Sequence, residues 1–105
     1  MNASELTRAY DAVINATDET FKAAEKYEQA KEELETNILL ATAKGDIAGK
    51  NEGERKAVAI AMFADKHAEV EALRMVYKIN ANKLDIAKLH LACLRDLLRI
   101  EELVK

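Results

Sequence analysis

The 105-residue sequence contains no proline or tryptophan, only three glycines and one cysteine. The residue that most strongly interrupts helices is therefore missing. The single cysteine, Cys93, excludes an intrachain disulfide and fits a reducing compartment. No apolar run approaches the roughly 18 residues that span a bilayer, and the polar stretch 4–11 does not resemble a secretory signal. These absences predict a cytoplasmic protein with no membrane segment.

The composition is dominated by residues that favour helices. Half of the residues are hydrophobic and 33% are charged, with abundant alanine, leucine, lysine and glutamate, which is typical of long helices and coiled coils. The net charge of −3 gives no general attraction to nucleic acid or to anionic membranes. Residues 1–50 carry ten acidic and six basic side chains, whereas residues 51–105 carry nine and ten, so the two halves can attract each other.

One short segment, residues 44–55, contains all three glycines. Gly45 can end the preceding helix because glycine adopts a positive φ without penalty, and Gly49 follows within the loop. Asn51 is a favoured N-cap, and Glu54 three residues later completes a capping box. The segment predicts one all-α domain, 1–105, folded as a long antiparallel helical hairpin. Its helices are expected at about 4–43 and 52–104, with a loop at about 45–50.

The first predicted helix has apolar side chains at spacings of three and four residues, which keep them on one face. The face consists of Leu6, Tyr10, Val13, Phe21, Ala24, Tyr27, Leu34, Ile38 and Ala41. It weakens at residues 15–18, where Thr17 or Asp18 could begin a new helix. A break at this point is the alternative to one continuous helix.

The second predicted helix carries a longer apolar stripe with the alternating spacing of a coiled coil. This inner stripe consists of Ala59, Phe63, Val70, Leu73, Tyr77, Leu84, Ala87, Leu91, Leu94 and Leu98. Lys66 and Asn80 interrupt it. A break at residues 80–82 is the alternative, and it would give three helices.

A second stripe begins later on the same helix. It consists of Ile79, Ile86, His90, Cys93, Leu97, Ile100 and Val104. One partner helix cannot cover both stripes, so we expect an oligomeric helical bundle or coiled coil, most simply a homodimer. The interface is expected in the C-terminal third of the helix, at Leu84, Ile86, Leu91, Cys93, Leu94, Leu97, Leu98 and Ile100.

No stretch has the spacing of a catalytic, metal or cofactor site. Gly49 and Lys50 lie in a glycine-rich turn, but a phosphate-binding loop needs glycine at position 44 and serine or threonine at position 51. A ferritin-like metal site needs glutamate three residues before histidine, and alanine precedes both His67 and His90 at that spacing. The sequence predicts no catalytic, cofactor-binding or metal-binding residue and no enzyme.

A row of cations along the second predicted helix is the one feature that indicates binding to nucleic acid. It consists of Arg74, Lys78, Lys88, Arg95 and Arg99. Such a face can contact phosphates. Asp85 interrupts the row, Asp96 lies close by, and no aromatic side chains alternate with the cations. We therefore expect these cations to be solvated and paired with the acidic first half, and nucleic acid binding is not favoured.

The segment from Gly49 to Arg55, GKNEGER, resembles part of a group of small helical proteins encoded by tailed phages and prophages, often near replication and recombination genes. In those proteins a G-K-N-E-x-x-R segment likewise begins a long leucine-rich helix. The resemblance covers about residues 38–103 and implies a phage-related setting in a host cytoplasm. It carries no established activity.

We therefore expect a non-enzymatic helical protein of phage type that acts through homo-oligomerisation and binding to an unidentified protein partner. The alternative is an accessory nucleic-acid-binding protein in phage replication or recombination.

Overall fold

A computed structural model describes residues 3–104 of the chain. Three helices are present in this range: α1 spans Ala3–Ala43, α2 spans Glu52–Met62 and α3 spans Ala64–Val104. No strand occurs among the described residues. Because α1 and α3 contact each other as a long helical hairpin, the predicted all-α hairpin is confirmed. The second predicted helix is divided in two.

The alternative of a break near residue 17 or 18 is wrong, because α1 is continuous. The Thr17 hydroxyl donates to the carbonyl oxygen of Val13 at 2.7 Å, and the Thr20 hydroxyl donates to that of Ala16 at the same distance. These hydroxyls are used within the helix and cap no new one.

The break in the second predicted helix lies at Phe63 and not at residues 80–82. Phe63 has φ −112° and ψ 34°, outside the helical range, and no glycine or proline lies near it. Its N–H donates to the Ala59 carbonyl at 3.1 Å, and its own carbonyl accepts from the His67 N–H at 2.9 Å. Phe63 thus keeps its own two helical hydrogen bonds while its backbone departs from the helical conformation.

The α3 helix continues through residues 80–82, which corrects the alternative break there. Asparagine costs less than about 0.7 kcal/mol relative to alanine in a helix interior, and Ala81 lies between the two asparagines. Tyr77 and Leu84 are half-buried on either side. Their packing offsets the small cost of the asparagines.

The contacts group the chain into two compact units. The loop unit is Ala24–Val76, and the terminal unit combines Met1–Ala23 with Tyr77–Lys105. Folding of residues 1–105 as a single domain stays a prediction. In the loop unit, the buried residues are Leu34, Ala41, Ile47 and Ala59. Three partly buried residues, Ile38, Val58 and Phe63, pack against the cluster of Ala41, Ile47 and Ala59.

The terminal unit has a much thinner interior. Its buried residues in the described range are two alanines, Ala9 and Ala23. The predicted inner stripe of α3 is half-buried here, at Tyr77, Leu84, Ala87, Leu91, Leu94 and Leu98. One face of α3 is therefore covered within the chain, as the sequence pattern predicts.

The predicted apolar face of α1 needs a correction at two aromatic residues. Phe21 is 71% exposed and Tyr10 is 43% exposed, whereas Ala9 and Ala23 take interior positions. Small residues allow two helices to approach closely, so alanines lie inside the hairpin. The rings of Phe21 and Tyr10 remain exposed.

Candidate interaction surfaces

The turn at Gly45 ends α1 as the sequence predicts. Gly45 has φ +79°, and its N–H donates to the Thr42 carbonyl at 3.1 Å. The Asp46 N–H donates to the Ala41 carbonyl at 3.0 Å. This pair of bonds is a Schellman motif, which satisfies the last helical carbonyls and turns the chain. Ile47 follows directly and is buried against Ala41, so the turn is fixed by packing as well.

The predicted cap at the start of α2 is also present. Asn51 is in an extended conformation, and its side-chain oxygen accepts from the Glu54 N–H at 2.9 Å. The Glu54 carboxylate accepts in turn from the Lys50 N–H at 2.8 Å. This differs by one residue from the usual capping box, in which the carboxylate bonds the N–H of the cap residue itself. The negative carboxylate also lies at the positive end of the helix.

Gly49 has a packing role that the sequence analysis did not assign. A Cβ atom at this position would lie 2.8 Å from the backbone nitrogen of Arg55 and 2.9 Å from the Cβ of Glu54. The Gly49 carbonyl accepts from the Arg55 guanidinium at 3.3 Å. The loop can therefore approach the first turn of α2 only because residue 49 has no side chain.

A cavity of about 370 Å³ lies beside this turn in the loop unit. Its wall is mainly apolar and includes Ile38, Ile47, Ala59 and Ile60, together with Thr42 and four charged or polar residues, Glu52, Arg55, Lys56 and His67. The Nε2 atom of His67 is buried without a hydrogen-bond partner in the described part of the chain. Because a carboxylate and two cations line the same cavity, its charges favour no single class of ligand.

The face of α3 opposite the inner stripe is apolar and exposed. We call it the outer stripe, and it consists of Ile79, Asn82, Ile86, Leu89, Cys93, Leu97, Ile100 and Val104. Side chains of Ile79, Ile86 and Ile100 are between 51% and 57% exposed. At about 100° per residue, the outer and inner stripes lie on nearly opposite sides of the helix. No part of the described chain buries this face.

The predicted interface residues fall into two groups, those of the inner stripe and those of the outer stripe. Leu84, Leu91, Leu94 and Leu98 are half-buried in the inner stripe, so the hairpin already uses them. Ile86, Cys93, Leu97 and Ile100 are exposed and available to a partner. Leu89, which the sequence analysis omitted, is 71% exposed and belongs with the second group. Its spacing of three from Ile86 and four from Cys93 is the signal that would have included it. His90 is also exposed, at the edge of this face.

The predicted cation row is exposed but differs from expectation in its partners. Arg74 is the half-buried member, and it pairs with Glu71 on its own helix, with Nε and Oε2 2.9 Å apart. This hydrogen bond, with the charge of Glu71, raises the pKa of Arg74. Pairing of Arg74 with the acidic first half is therefore wrong. The other four cations, Lys78, Lys88, Arg95 and Arg99, form no ion pair with a carboxylate in residues 3–104.

Lys66 of α3 forms an ion pair with Glu33 of α1. Its ammonium lies 3.2 Å from Glu33 of α1 and 3.9 Å from Glu69. The hydrogen bond to Glu33 is the main cause that raises the pKa of Lys66, and the charges of Glu33 and Glu69 add to it. Lys66, which interrupts the apolar inner stripe in the sequence, thus has a polar partner across the hairpin.

Other kinds of site are not supported by the described residues. No group of three or more histidine, cysteine, aspartate or glutamate side chains in residues 3–104 could hold a metal ion. None of the three described helices is long and apolar enough to cross a membrane.

Comparisons with protein-family models, with curated proteins and with solved structures found no match.

Proposed function

We propose that this chain is a non-enzymatic helical interaction protein that works as a homodimer, with the outer stripe of α3 as its interface. The observation that carries the proposal is the exposure of Ile79, Ile86 and Ile100 on the side of α3 facing away from the inner stripe. Contiguous apolar faces of this kind on soluble helices are usually covered by another chain.

Energetics support an obligatory association. Full burial of an aliphatic side chain contributes about 1.5–3 kcal/mol, and the outer stripe repeats this gain along its length in both copies. The terminal unit has little interior of its own, since its buried residues in the described range are Ala9 and Ala23. Pairing two copies would supply the core that a single copy lacks.

The biological setting that we propose is the cytoplasm of a phage host. This rests on the resemblance of the Gly49–Arg55 segment to phage and prophage helical proteins. In that setting, the dimer would act by binding a further protein, and it would carry out no chemistry itself.

A second candidate function is accessory binding to nucleic acid in phage replication or recombination. The observation that favours it is the set of four exposed cations on α3, Lys78, Lys88, Arg95 and Arg99, which have no carboxylate partner among the described residues. Asp85 and the net charge of −3 oppose it, so it ranks below the homodimer.

Sedimentation equilibrium at micromolar concentration tests the homodimer. We expect twice the 11.7 kDa of one chain for the native protein. Ile86→Glu should dissociate the dimer into poorly folded monomers, because a carboxylate would be buried at the interface without a partner. Leu97→Glu and Ile100→Glu should dissociate the dimer in the same way.

Lys88→Gln is the matched control, since it changes the net charge by the same single unit at an exposed site outside the outer stripe. It should leave the dimer intact. A well-folded native monomer would refute the proposal, and so would equal dissociation by Lys88→Gln and Ile86→Glu.

A further inference from the structure

We infer that a second surface of the terminal unit, separate from the outer stripe, binds an acidic amphipathic helix of the protein partner. We call it the flank surface. Its apolar part on α1 consists of Tyr10, Ile14, Thr17 and Phe21, and its cationic part on α3 consists of Lys88, Arg95 and Arg99. This inference rests on the proposed protein-interaction function and adds the surface and the chemistry of the partner.

The row on α1 has the exposure and the spacing of a helix-packing face that is not covered. Tyr10 is 43% exposed, Ile14 is 62% exposed and Phe21 is 71% exposed. With Thr17 between them, the steps are four, three and four residues, which keep the four side chains within about 60° of one another around the helix. The Thr17 hydroxyl donates to the Val13 carbonyl, so Thr17 adds its methyl group to the row without an unsatisfied donor.

Helix geometry places this row and the three cations on the same side of the hairpin. In an antiparallel pair of right-handed helices, turning away from the contact face in the direction of the 100° step leads to the same side of the pair on both helices. On α1, the row lies at about +130° from the buried Ala9 and Ala23. On α3, the three cations lie at about +80° from the inner stripe.

A cavity on the opposite side of the terminal unit confirms this assignment. It has a volume of about 480 Å³, and its lining includes Arg8 and Ala12 of α1 with His90 and Leu94 of α3. All four residues lie at negative angles from the contact faces, at about −40° to −80°. The cavity also brings residues 8–12 to the level of residues 90–94. Lys88 and Arg95 therefore lie about one helical turn to either side of the level of Tyr10.

The charges of this side are unequal. Lys88, Arg95 and Arg99 are exposed and form no ion pair with a carboxylate in residues 3–104. The same side of α3 also carries Lys78 and two carboxylates, Asp85 and Glu102, so four cations face two anions and the net charge is +2.

Along α1, the nearest carboxylate is that of Asp18. It borders the row on the edge away from α3 and is paired with Lys22 at 3.0 Å. The cations of α3 therefore remain available to a partner that lies against the row.

The row and the cations together define the chemistry of this partner. Steps of four and three residues are the spacing at which a second helix inserts its own apolar side chains. Cations at the edge of such a contact attract carboxylates. A nucleic-acid strand fits less well, because Ile14 in the middle of the row offers no ring for base stacking and the net charge of −3 repels a polyanion.

The flank surface and the outer stripe can be occupied at the same time. The three cations lie about 145° around α3 from the outer stripe, so a helix beside them does not contact a chain bound at the outer stripe. Binding to the flank surface therefore does not compete with the proposed homodimer.

Fluorescence anisotropy with a labelled synthetic peptide tests the inference on the full chain. The acidic peptide has three heptads with leucine at positions a and d and glutamate at positions e and g, so its like charges oppose pairing with itself. Its helix is about 30 Å long, which matches α1 from residue 3 to residue 23. The matched basic peptide has lysine in place of glutamate. We expect the acidic peptide to bind about tenfold more tightly than the basic peptide.

Variants of the apolar row locate the contact. Ile14→Ser should weaken binding of the acidic peptide about tenfold, because an aliphatic contact in the middle of the row is lost. Leu39→Ser is the matched control, since Leu39 is 69% exposed on the same helix but belongs to the loop unit. It should leave the affinity unchanged, and circular dichroism checks that both variants retain their helices.

A charge reversal gives an independent readout. Arg95→Glu should weaken binding of the acidic peptide and strengthen binding of the basic peptide, a change that loss of structure cannot produce. Lys83→Glu makes the same change of charge at an exposed position on the opposite side of the hairpin. It should leave the preference for the acidic peptide intact.

The outcomes separate this inference from the proposed homodimer. A native monomer in sedimentation that binds the acidic peptide refutes the homodimer and leaves the flank surface standing. A native dimer that binds neither peptide, or both equally, overturns the inference alone. Equal weakening by Ile14→Ser and Leu39→Ser also overturns it, because the peptide then binds elsewhere. A single-stranded oligonucleotide that binds more tightly than the acidic peptide overturns it in favour of nucleic acid.

Discussion

The side-chain oxygen of Asn51 lies 2.9 Å from the backbone nitrogen of Glu54 and caps α2, while the Glu54 carboxylate reaches back to the N–H of Lys50. Two N–H groups at the helix start are thereby satisfied by a pair of side chains three residues apart. The loop and the helix that follows it are therefore held by the same two residues.

Loss of this cap should lower stability measurably. We expect Asn51→Ala to reduce the free energy of unfolding by about 1 kcal/mol, the usual contribution of an asparagine N-cap. Chemical denaturation followed by circular dichroism measures the change. The control is Asn15→Ala, at an exposed position inside α1, where alanine should be neutral or slightly stabilising. Equal midpoints for Asn51→Ala and the native protein would show that the cap is dispensable.

Gly45 should tolerate asparagine better than other side chains. Its φ is +79°, and no atom lies within 4 Å of where a Cβ would stand, so the cost of substitution is entirely conformational. Gly45→Val should therefore cost at least 1–2 kcal/mol, roughly the penalty of a left-handed conformation, whereas Gly45→Asn should cost clearly less. Thermal denaturation of both variants checks this order. Identical melting temperatures for the two would contradict a conformational origin.

Phe63 should contribute more to stability than Phe21, although both are phenylalanines of the hairpin. Phe63 packs against the cluster of Ala41, Ile47 and Ala59, and Phe21 is 71% exposed. Because full burial makes Phe→Ala cost about 3–5 kcal/mol, the half-buried Phe63 should cost about 2 kcal/mol and Phe21 close to nothing. Urea denaturation of both variants gives the comparison. A larger loss at Phe21 would mean that α1 is covered there by another chain.

The ion pair between Lys66 and Glu33 should contribute to the free energy of unfolding, and this contribution should be lost at high pH. Its hydrogen bond raises the pKa of Lys66 above 10.5, so the folded state holds this proton more tightly than the unfolded state. The stabilisation is complete below pH 10.5 and disappears as the pH rises through the raised pKa. The effect should be small because the side chains of Lys66 and Glu33 are 43% and 61% exposed, so solvent screens the pair.

The measurement compares native protein with Lys66→Gln in urea at several pH values. The difference between their midpoints should be present at neutral pH and vanish in strong alkali. Lys83 is an exposed lysine with no ion pair among the described residues. The difference in urea midpoint between Lys83→Gln and the native protein should therefore be the same at every pH. The same pH profile for both variants would contradict a specific contribution from Glu33.

The exposed cations of α3 should not constitute a strong site for nucleic acid. Lys78, Lys88, Arg95 and Arg99 share their face with Asp85 and belong to a chain of net charge −3. We expect no specific binding to duplex or single-stranded DNA at physiological salt. Fluorescence anisotropy provides the measurement. Sub-micromolar affinity that weakens steeply with added salt would favour the nucleic-acid function over the protein-interaction function.

Local sequence determined where the helices end around the loop. Gly45 and Asn51 act through hydrogen bonds to residues within five positions along the chain, so their roles can be predicted without the tertiary structure. The periodicity of α3 likewise predicts its inner stripe, because the spacing of apolar residues alone sets which side chains share a helix face.

Tertiary packing decided the features that local patterns do not encode. The break at Phe63 has no glycine or proline to mark it, and it accompanies packing of that ring on residues far along the chain. On α1, hydrophobicity would place Phe21 inside, yet Ala23 is buried, because close approach of two helices favours the smaller side chain. The sequence by itself thus determined the helix ends around the loop and the inner stripe of α3, through local hydrogen bonding and the helical period. Only contacts between helices decided which stripe is covered and which remains exposed.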